Sequence, residues 1–423
     1  SLTFGLALVP SGRLGDAHGR KWLFIGGVML FCASAIVAGT AQEAWVVAAA
    51  RLLQGVGAGT VNPQVIGIIQ ELFDGRQRTR ALGAYAIVGG IAGVIGPLVG
   101  GTLIGALGDA YGWRCVLLLN VPFGLVTVPL AVRWFPAARP AGRVRTSLDL
   151  PGLAGLAAVT LCLLLPFTLP GDQGPPRVVW FAAAPVLLVA WIGWERRYAR
   201  RGRTPVLLPS LVGAGGFRTG TLIAMFQFGA SLSSSLAITL YLQDRLGWSA
   251  LHAALTTLPS ALGFAVTSAF GWRVVGRYGA VSVAWALVGS LVVVIATGCV
   301  LALVPSGHLG LALTATQLCA GAATGLIVSP NQALTLAHAP PGSAGLAAGF
   351  LQLAQRISAS IGTAAVAGVV LSAPPGPGRA PIVHGLAVCA VMLAIATALA
   401  WRDALRDAHP PVPDRRNILV KHI

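Results

Sequence analysis

Apolar stretches long enough to cross a lipid bilayer recur along the whole chain, and they constrain its fold more than any other feature. They lie at about 22–41, 44–70, 82–107, 113–134, 148–169, 177–195, 217–243, 250–271, 281–304, 308–336, 343–372 and 382–401. A helix needs about 20 apolar residues to cross the hydrocarbon core. Only 10% of the residues are charged, whereas a typical soluble domain has about 25%. The pattern predicts an all-α polytopic membrane protein.

The first apolar run, residues 1–10, is too short to cross a bilayer and ends at Pro10. It also lacks the basic start of a signal peptide. We therefore expect it to be the end of a divided span, with an N-terminal piece of the protein missing. The chain would then contain twelve full spans and a partial one.

The basic residues lie mainly in alternate loops, and this distribution predicts the orientation. One set of loops and the C-terminal tail hold 23 basic residues, whereas the other side holds four. Because basic loops face the cytoplasm, the first set and the C-terminus are predicted to be cytoplasmic, in the cell membrane. The net charge of +17 is thus spread over short loops, which argues against a nucleic-acid partner.

Two pairs of segments indicate an internal repeat. AGTVNPQVIGII (58–69) resembles GLIVSPNQALTL (325–336), and GRLGDAHGRK (12–21) has a weaker counterpart in WRVVGRYGA (272–280). Such duplication is common in transporters that bind substrate between two halves. We predict an N-terminal half at 1–135, two inserted spans with loops at 136–216, a C-terminal half at 217–402 and a tail at 403–423.

Four segments point to a known family: GRLGDAHGRK (12–21), RLLQGVGAG (51–59), IGPLVGG (95–101) and WRCVLLLNVPFG (113–124). In this order they resemble motifs of the major facilitator superfamily, and with the two inserted spans they resemble its fourteen-span drug:proton antiporters. The resemblance covers nearly the whole chain. It implies two pseudo-symmetric six-helix halves with two helices inserted between them, lacking here the first span and part of the second. It also implies proton-coupled efflux of drugs or other small amphipathic molecules by alternating access.

The segment 12–21 concentrates charge and glycine in an apolar chain. Its glycines permit a tight turn between closely packed helices, and its basic residues anchor one membrane side. Its one acidic residue, Asp16, does not contribute to that anchoring. The Asp16 carboxylate can instead pair with an arginine or face a helix N-terminus. The resemblance implies a conformational latch, formed by Gly12, Asp16, Gly19, Arg20 and Lys21. The alternative is a solvated loop whose charges only set topology.

Arg51 lies inside a predicted span, where an ionisable residue is costly and indicates function. The resemblance implies a role in proton coupling, together with Gln54 and Gly55. Alternatively, Arg51 extends to the membrane surface from a position near the helix end, and the nearby glycines only provide a packing face.

The antiporter motif places Gly96, Pro97, Gly100 and Gly101 in one span. A proline kink is tolerable there if neighbouring groups satisfy the freed carbonyl. Close packing of small residues is the alternative interpretation.

Polar side chains in the middle of spans are the candidates for lining a substrate cavity. They are Asn62, Gln64, Gln227, Asn331, Gln332, Gln352 and Arg356. Hydrogen bonding between helices without ligand contact is an equally good explanation for any one of them.

All twelve acidic residues lie in loops, in the tail or near span ends. Either the proton carrier lies in the missing segment, or the substrate is not cationic, or the chain is an inactive fragment. The sequence has no HExxH, GxSxG or nucleotide-binding GxxxxGK[ST] motif. We therefore predict no enzymatic activity, no cofactor and no metal. The expected partners are a small-molecule substrate, protons and the lipid bilayer, with the protein acting as a monomer. A sensor or receptor derived from a transporter is the alternative function.

Overall fold

The computed structural model describes residues 2–73, 75–135, 149–168, 177–203, 205–206, 211, 213–339, 344–371 and 379–408. Most of the predicted tail lies outside these residues. The described part forms thirteen helical segments: α1 Leu2–His18, α2 Arg20–Thr40, α3 Ala44–Leu72, α4 Gly75–Leu118, α5 Asn120–Trp134, α6 Leu150–Thr168, α7 Arg177–Arg200, α8 Gly215–Leu240, α9 Ala250–Tyr278, α10 Ala280–Leu303, α11 Ser306–Ala337, α12 Ala344–Leu371 and α13 Ala380–Ala408. Of these, α4 consists of two helices joined at a kink at Gly108. A short π-helical segment, Tyr241–Arg245, extends α8.

Eleven segments of the described chain are long and apolar enough to cross a membrane. A shorter apolar stretch, Leu98–Gly108, lies within α4, in the predicted span at 82–107. Many large apolar side chains point outward along these helices, such as Leu311 and Leu303. Such a surface suits lipid rather than water. The prediction of an all-α polytopic membrane protein is confirmed.

The prediction that 12–21 forms a loop is wrong over most of its length. Helix α1 continues through Gly12 and Gly15 to His18, and only Gly19 leaves the helical conformation, with φ of 91°. Gly279 takes φ of 56° at the start of α10, in the segment that resembles 12–21. Both values lie in a region that L-residues with side chains rarely adopt. The turn therefore needs a single glycine, and the other two glycines serve helix packing.

The helices form two groups with a pair beside them. Helices α1 to α5 pack among themselves, and α8 to α13 pack among themselves. The two groups meet where α1 contacts α12 and where α4 contacts α9. The core of the second group includes Tyr241, Leu287 and Leu313, all almost inaccessible to solvent.

Helices α6 and α7 pack on each other, and α6 also contacts α1 and α12. One apolar cluster holds this junction together: Val9 of α1, Leu156 of α6, Trp191 of α7, Val206 and Leu353 of α12. The pair therefore covers one side of the contact between the two helix groups.

Candidate functional site

Arg356 lies at the point where α1, α8 and α12 converge. Its guanidinium carbon is 4.6 Å from the ring centroid of Phe4 and 5.3 Å from that of Phe228. A cation over an aromatic face gains about 0.5–2 kcal/mol, depending on its desolvation. The side chain is half-buried. The junction between the two helix groups therefore presents a positive charge framed by two aromatic rings.

Gly5 permits this convergence. A Cβ at Gly5 would lie 3.1 Å from Arg356 Cβ and 3.2 Å from Leu353 Cδ1. Such distances are tighter than ordinary van der Waals contact, so a side chain at this position would require the neighbouring atoms of α12 to shift by a few tenths of an ångström. The absence of a side chain at Gly5 thus allows the close approach of α1 and α12.

Three of the predicted cavity residues are buried and bond to protein. Gln64 donates from Nε2 to the Ser11 carbonyl at 2.8 Å, Gln227 to Ser231 Oγ at 3.0 Å, and Asn331 from Nδ2 to the Gly220 carbonyl at 3.0 Å. Gln64 and Asn331 therefore tie α1 to α3 and α8 to α11, in agreement with the alternative of interhelical bonding. Gln332 and Gln352 are half-buried, like Arg356.

Asn62 lies on a cavity of about 350 Å³ between α2, α3, α4 and α5. Its Nδ2 donates to the Tyr85 hydroxyl at 3.2 Å, and its Oδ1 accepts no hydrogen bond from the described residues. The walls are mostly apolar and include Phe31 and Phe123, with Asn120 as a further polar group. This volume and this mixture of walls are typical of a small-molecule site.

The basic residues of the predicted latch make specific interhelical contacts. Arg20 Nε lies 2.6 Å from Glu71 Oε1, and its guanidinium covers Gly67 of α3. Lys21 Nζ donates to the Val132 and Phe135 carbonyls at 2.8 and 2.9 Å, at the end of α5. These residues thus tie the start of α2 to α3 and α5, beyond setting topology. The Asp16 side chain lies outside the described residues, although its backbone belongs to α1.

The latch glycines inside α1 pack on α3. Gly15 faces the Gln64 side chain, whose Cδ lies 2.9 Å from the position of an added Cβ. Gly12 faces Pro63 at 3.7 Å. Since Gln64 in turn bonds to the backbone of α1, a hydrogen bond as well as close packing joins α1 to α3.

Glycines of α3 pack against both neighbouring helices, α1 and α2. Gly55 meets Thr3 and Phe4 of α1, whereas Gly57 lies against α2, with its added Cβ 2.8 Å from the Phe31 nitrogen. Arg51 is exposed on α3 and donates from Nη1 to Gln54 Oε1 at 2.7 Å, and Gln54 itself is buried. The contacts assign the glycines to packing, while the role of Arg51 in coupling stays a prediction.

The antiporter motif divides into exposed and buried positions. Gly96 is exposed, and a Cβ added there would meet no described residue of another helix within 4 Å. A Cβ at Gly100 would meet, among the described residues, Val116 at 4.0 Å. Gly101 is buried, and a Cβ there would lie 3.0 Å from Leu251 Cα of α9. Pro97 lies in α4, but its side chain is not described; the residue with non-helical φ and ψ in α4 is Gly108. Gly101 is therefore the described residue of the motif that makes a close contact between the helix groups.

Comparison with known proteins agrees with this architecture. The family model described as Major Facilitator Superfamily matches residues 1–363. The probable actinorhodin transporter of Streptomyces coelicolor is 31% identical over 372 residues, which cover 86% of this chain and 63% of that protein. The puromycin resistance protein pur8 of Streptomyces alboniger is also 31% identical, over 86% of this chain and 71% of its own length. The chain thus spans less than two thirds of the first of these relatives.

A solved structure, that of an auto-inhibited POT family peptide transporter, superimposes with a TM-score of 0.64 and 17% sequence identity. The match covers 98% of this chain and 88% of that one. At this identity the likeness concerns the fold alone. The helix arrangement, the motifs in their order and the match over residues 1–363 lead to one conclusion: this chain belongs to the Major Facilitator Superfamily.

Proposed function

We propose that the protein is a monomeric secondary transporter that exports small amphipathic molecules across the cell membrane in exchange for protons. The observation that carries this proposal is the junction at Arg356, where a half-buried cation between Phe4 and Phe228 lies between the two helix groups. The names of the relatives, an actinorhodin transporter and a puromycin resistance protein, support small-molecule export.

Two contacts between the groups support alternating access. Gly5 brings α1 close to α12, and Gly101 brings α4 close to α9. The group 1–135 and the group 217–402 would rock about the central junction, with the inserted pair and its loops, 136–216, beside them. Substrate shifts this equilibrium only if it binds the two conformations with different affinity. From the distribution of basic residues we infer that the α1–α2 turn and the C-terminus face the cytoplasm.

The chemistry of the junction favours neutral or anionic aromatic molecules. In the described part of the chain Arg356 contacts two rings, and no carboxylate is paired with it. An anionic aromatic ligand would gain from the guanidinium and stack on the rings, whereas a cation would be repelled.

Transport by the purified protein in vesicles tests the proposal. With a pH gradient across the vesicle membrane, we expect an anionic aromatic dye to move in exchange for protons, faster than a cationic dye of similar size. A protonophore should abolish the movement. Dye binding without flux would overturn the transport proposal in favour of a sensor, and the absence of both would indicate an inactive fragment.

The same assay tests the latch. We predict that Asp16→Asn lowers the transport rate while expression and membrane insertion remain normal, because Asn keeps the shape of Asp without its charge. Glu43→Gln, an exposed position before α3, is the matched control and should transport like the wild type. Unchanged flux in Asp16→Asn would contradict the latch role.

A further inference from the structure

A polar cavity lies inside the second helix group, among α8, α9, α10, α11 and α13. Its volume is about 60 Å³. Of the eleven described residues that line it, eight carry a hydroxyl or an amide group, whereas the walls of the cavity at Asn62 are mostly apolar. Polar groups inside membrane-spanning helices are costly unless each of them has a hydrogen-bond partner. The partners of these eight groups therefore decide what the cavity holds.

Three wall side chains, from three different helices, are buried without a partner in the described chain. Ser234 of α8 is 9% exposed, Ser290 of α10 is 5% exposed and Gln317 of α11 is 6% exposed. Their hydroxyl and amide groups form no hydrogen bond with any residue that the structure describes. Buried polar side chains nearly always bond to protein or to ordered water. Since no described residue is the partner of these three groups, ordered water is the partner that remains.

Other wall residues keep hydrogen-bonding capacity for the cavity. Ser231 Oγ accepts a hydrogen bond from Gln227 Nε2 at 3.0 Å, so the hydroxyl proton of Ser231 remains to be donated. Thr297 and Thr324 donate to backbone carbonyls of their own helices at 2.8 and 2.9 Å, so their hydroxyl oxygens can still accept. The walls therefore offer both donors and acceptors.

The chemistry and the size of the cavity restrict the ligand. None of the described wall residues is ionisable, so an ion would lose its hydration without gaining a counter-charge. Sites for drug-sized molecules have volumes of about 300–1,000 Å³, which is far more than the volume of this cavity. One water needs about 10–15 Å³ of such a volume. The cavity is therefore suited to a few small neutral molecules that both donate and accept hydrogen bonds.

We propose that this cavity is a water site, which binds a cluster of about four water molecules through Ser234, Ser290 and Gln317. Each serine hydroxyl can donate one hydrogen bond and accept others, and the glutamine amide supplies N–H donors together with a carbonyl acceptor. The waters connect α8, α10 and α11 at a depth where these three side chains do not bond to one another.

The water site is a structural part of the second helix group. Bonds through ordered water are nearly as favourable as direct hydrogen bonds, so the waters satisfy polar groups that would otherwise destabilise the packed helices. Ser290 lies near the middle of α10, Ala280–Leu303, so the site is distant from both ends of that helix. The site depends on residues of this group alone and does not rest on the proposed export.

X-ray radiolytic labelling of the full chain in lipid, with detection by mass spectrometry, tests the water site. Hydroxyl radicals that form from a bound water oxidise the side chains beside it, whereas radicals from bulk water do not reach buried side chains. Leu393 of α13 lines the cavity and is 1% exposed. Leu386, two turns away on the same helix, is 2% exposed and is not among the described wall residues. We expect oxidation of Leu393 and none of Leu386.

A variant with apolar walls tests which side chains hold the water. Ser290→Val combined with Gln317→Leu should abolish the oxidation of Leu393, because valine and leucine offer water no hydrogen bond. Thr316→Val is the matched control, since Thr316 precedes Gln317 on α11, bonds to the Leu313 carbonyl and is not among the described wall residues. This variant should keep the label on Leu393.

The wild-type protein alone can refute the proposal. An unlabelled Leu393 would overturn it, whether or not the variants fold. Equal labelling of Leu393 and Leu386 would show that no water is held specifically at the cavity and would overturn it too. A label on Leu393 that persists in the folded double variant would contradict the assignment to Ser290 and Gln317.

Discussion

Gly101 is the position at which a small added side chain should change the conformational equilibrium. A Cβ there would lie 3.0 Å from Leu251 Cα and 3.3 Å from the Ala250 carbonyl oxygen. Both atoms belong to the backbone of α9, so relief requires movement of a helix rather than of a side chain. Overpacking of this kind costs about 1–3 kcal/mol. In Gly101→Val this free-energy cost arises only in the conformation in which α4 touches α9.

Under alternating access, a second conformation separates α4 from α9 at this end, and there the valine is tolerated. A difference of about 1–3 kcal/mol shifts the two populations by about 5–150-fold. We therefore predict that Gly101→Val populates mainly the conformation in which this contact is open.

Distances between two spin labels can measure the shift. Leu107 of α4 and Leu255 of α9 are exposed and can be changed to labelled cysteines in a background without the six native ones. The distance should lengthen in Gly101→Val. Gly96→Val is the matched control, because no described residue of another helix lies within 4 Å of a Cβ at Gly96. An unchanged distance in Gly101→Val, or equal lengthening in Gly96→Val, would refute the reasoning.

Two further substitutions test the packing and the junction. Gly59→Val should lower the melting temperature by several degrees, because its Cβ would collide with the Phe4 carbonyl of α1. Gly26→Val should melt like the wild type, because a Cβ there would meet no described residue of another helix within 4 Å, and equal melting of both variants would contradict the packing argument. Arg356→Lys should weaken binding of an anionic aromatic dye about fivefold, a loss of about 1 kcal/mol, because lysine keeps the charge but does not stack as a planar group. Fluorescence titration measures that affinity, and unchanged binding would remove Arg356 from the site.

Helix positions could be predicted closely from the sequence. The apolar stretch at 22–41 became α2, Arg20–Thr40, and that at 281–304 became α10, Ala280–Leu303. Such bounds depend on local hydrophobicity and on the thickness of the bilayer. The prediction for 12–21 was wrong because glycine serves both turns and helix contacts. Only the packing of Gly15 against Gln64 of α3 distinguishes these uses.

The site was harder to predict, because its residues are distant in the sequence. Arg20 was recognised as an anchor, but its partner Glu71 lies on another helix. Asp149 and Glu195 were assigned to loops or span ends, whereas the structure buries both, and the indole of Trp194 donates to Asp149. Hydropathy gives the depth of a residue along its own helix. It contains no information on which other helix covers that residue.

The position of α6 against both α1 and α12 affects how molecules reach the protein from the membrane. A gap between α1 and α12 would be a side entrance for compounds dissolved in the lipid, and α6 with its partner α7 blocks that entrance. The other seam between the two helix groups, that of α4 and α9, is closely packed at Gly101. If the protein exports compounds as proposed, lateral entry to the Arg356 junction through this seam would require the contact at Gly101 to open.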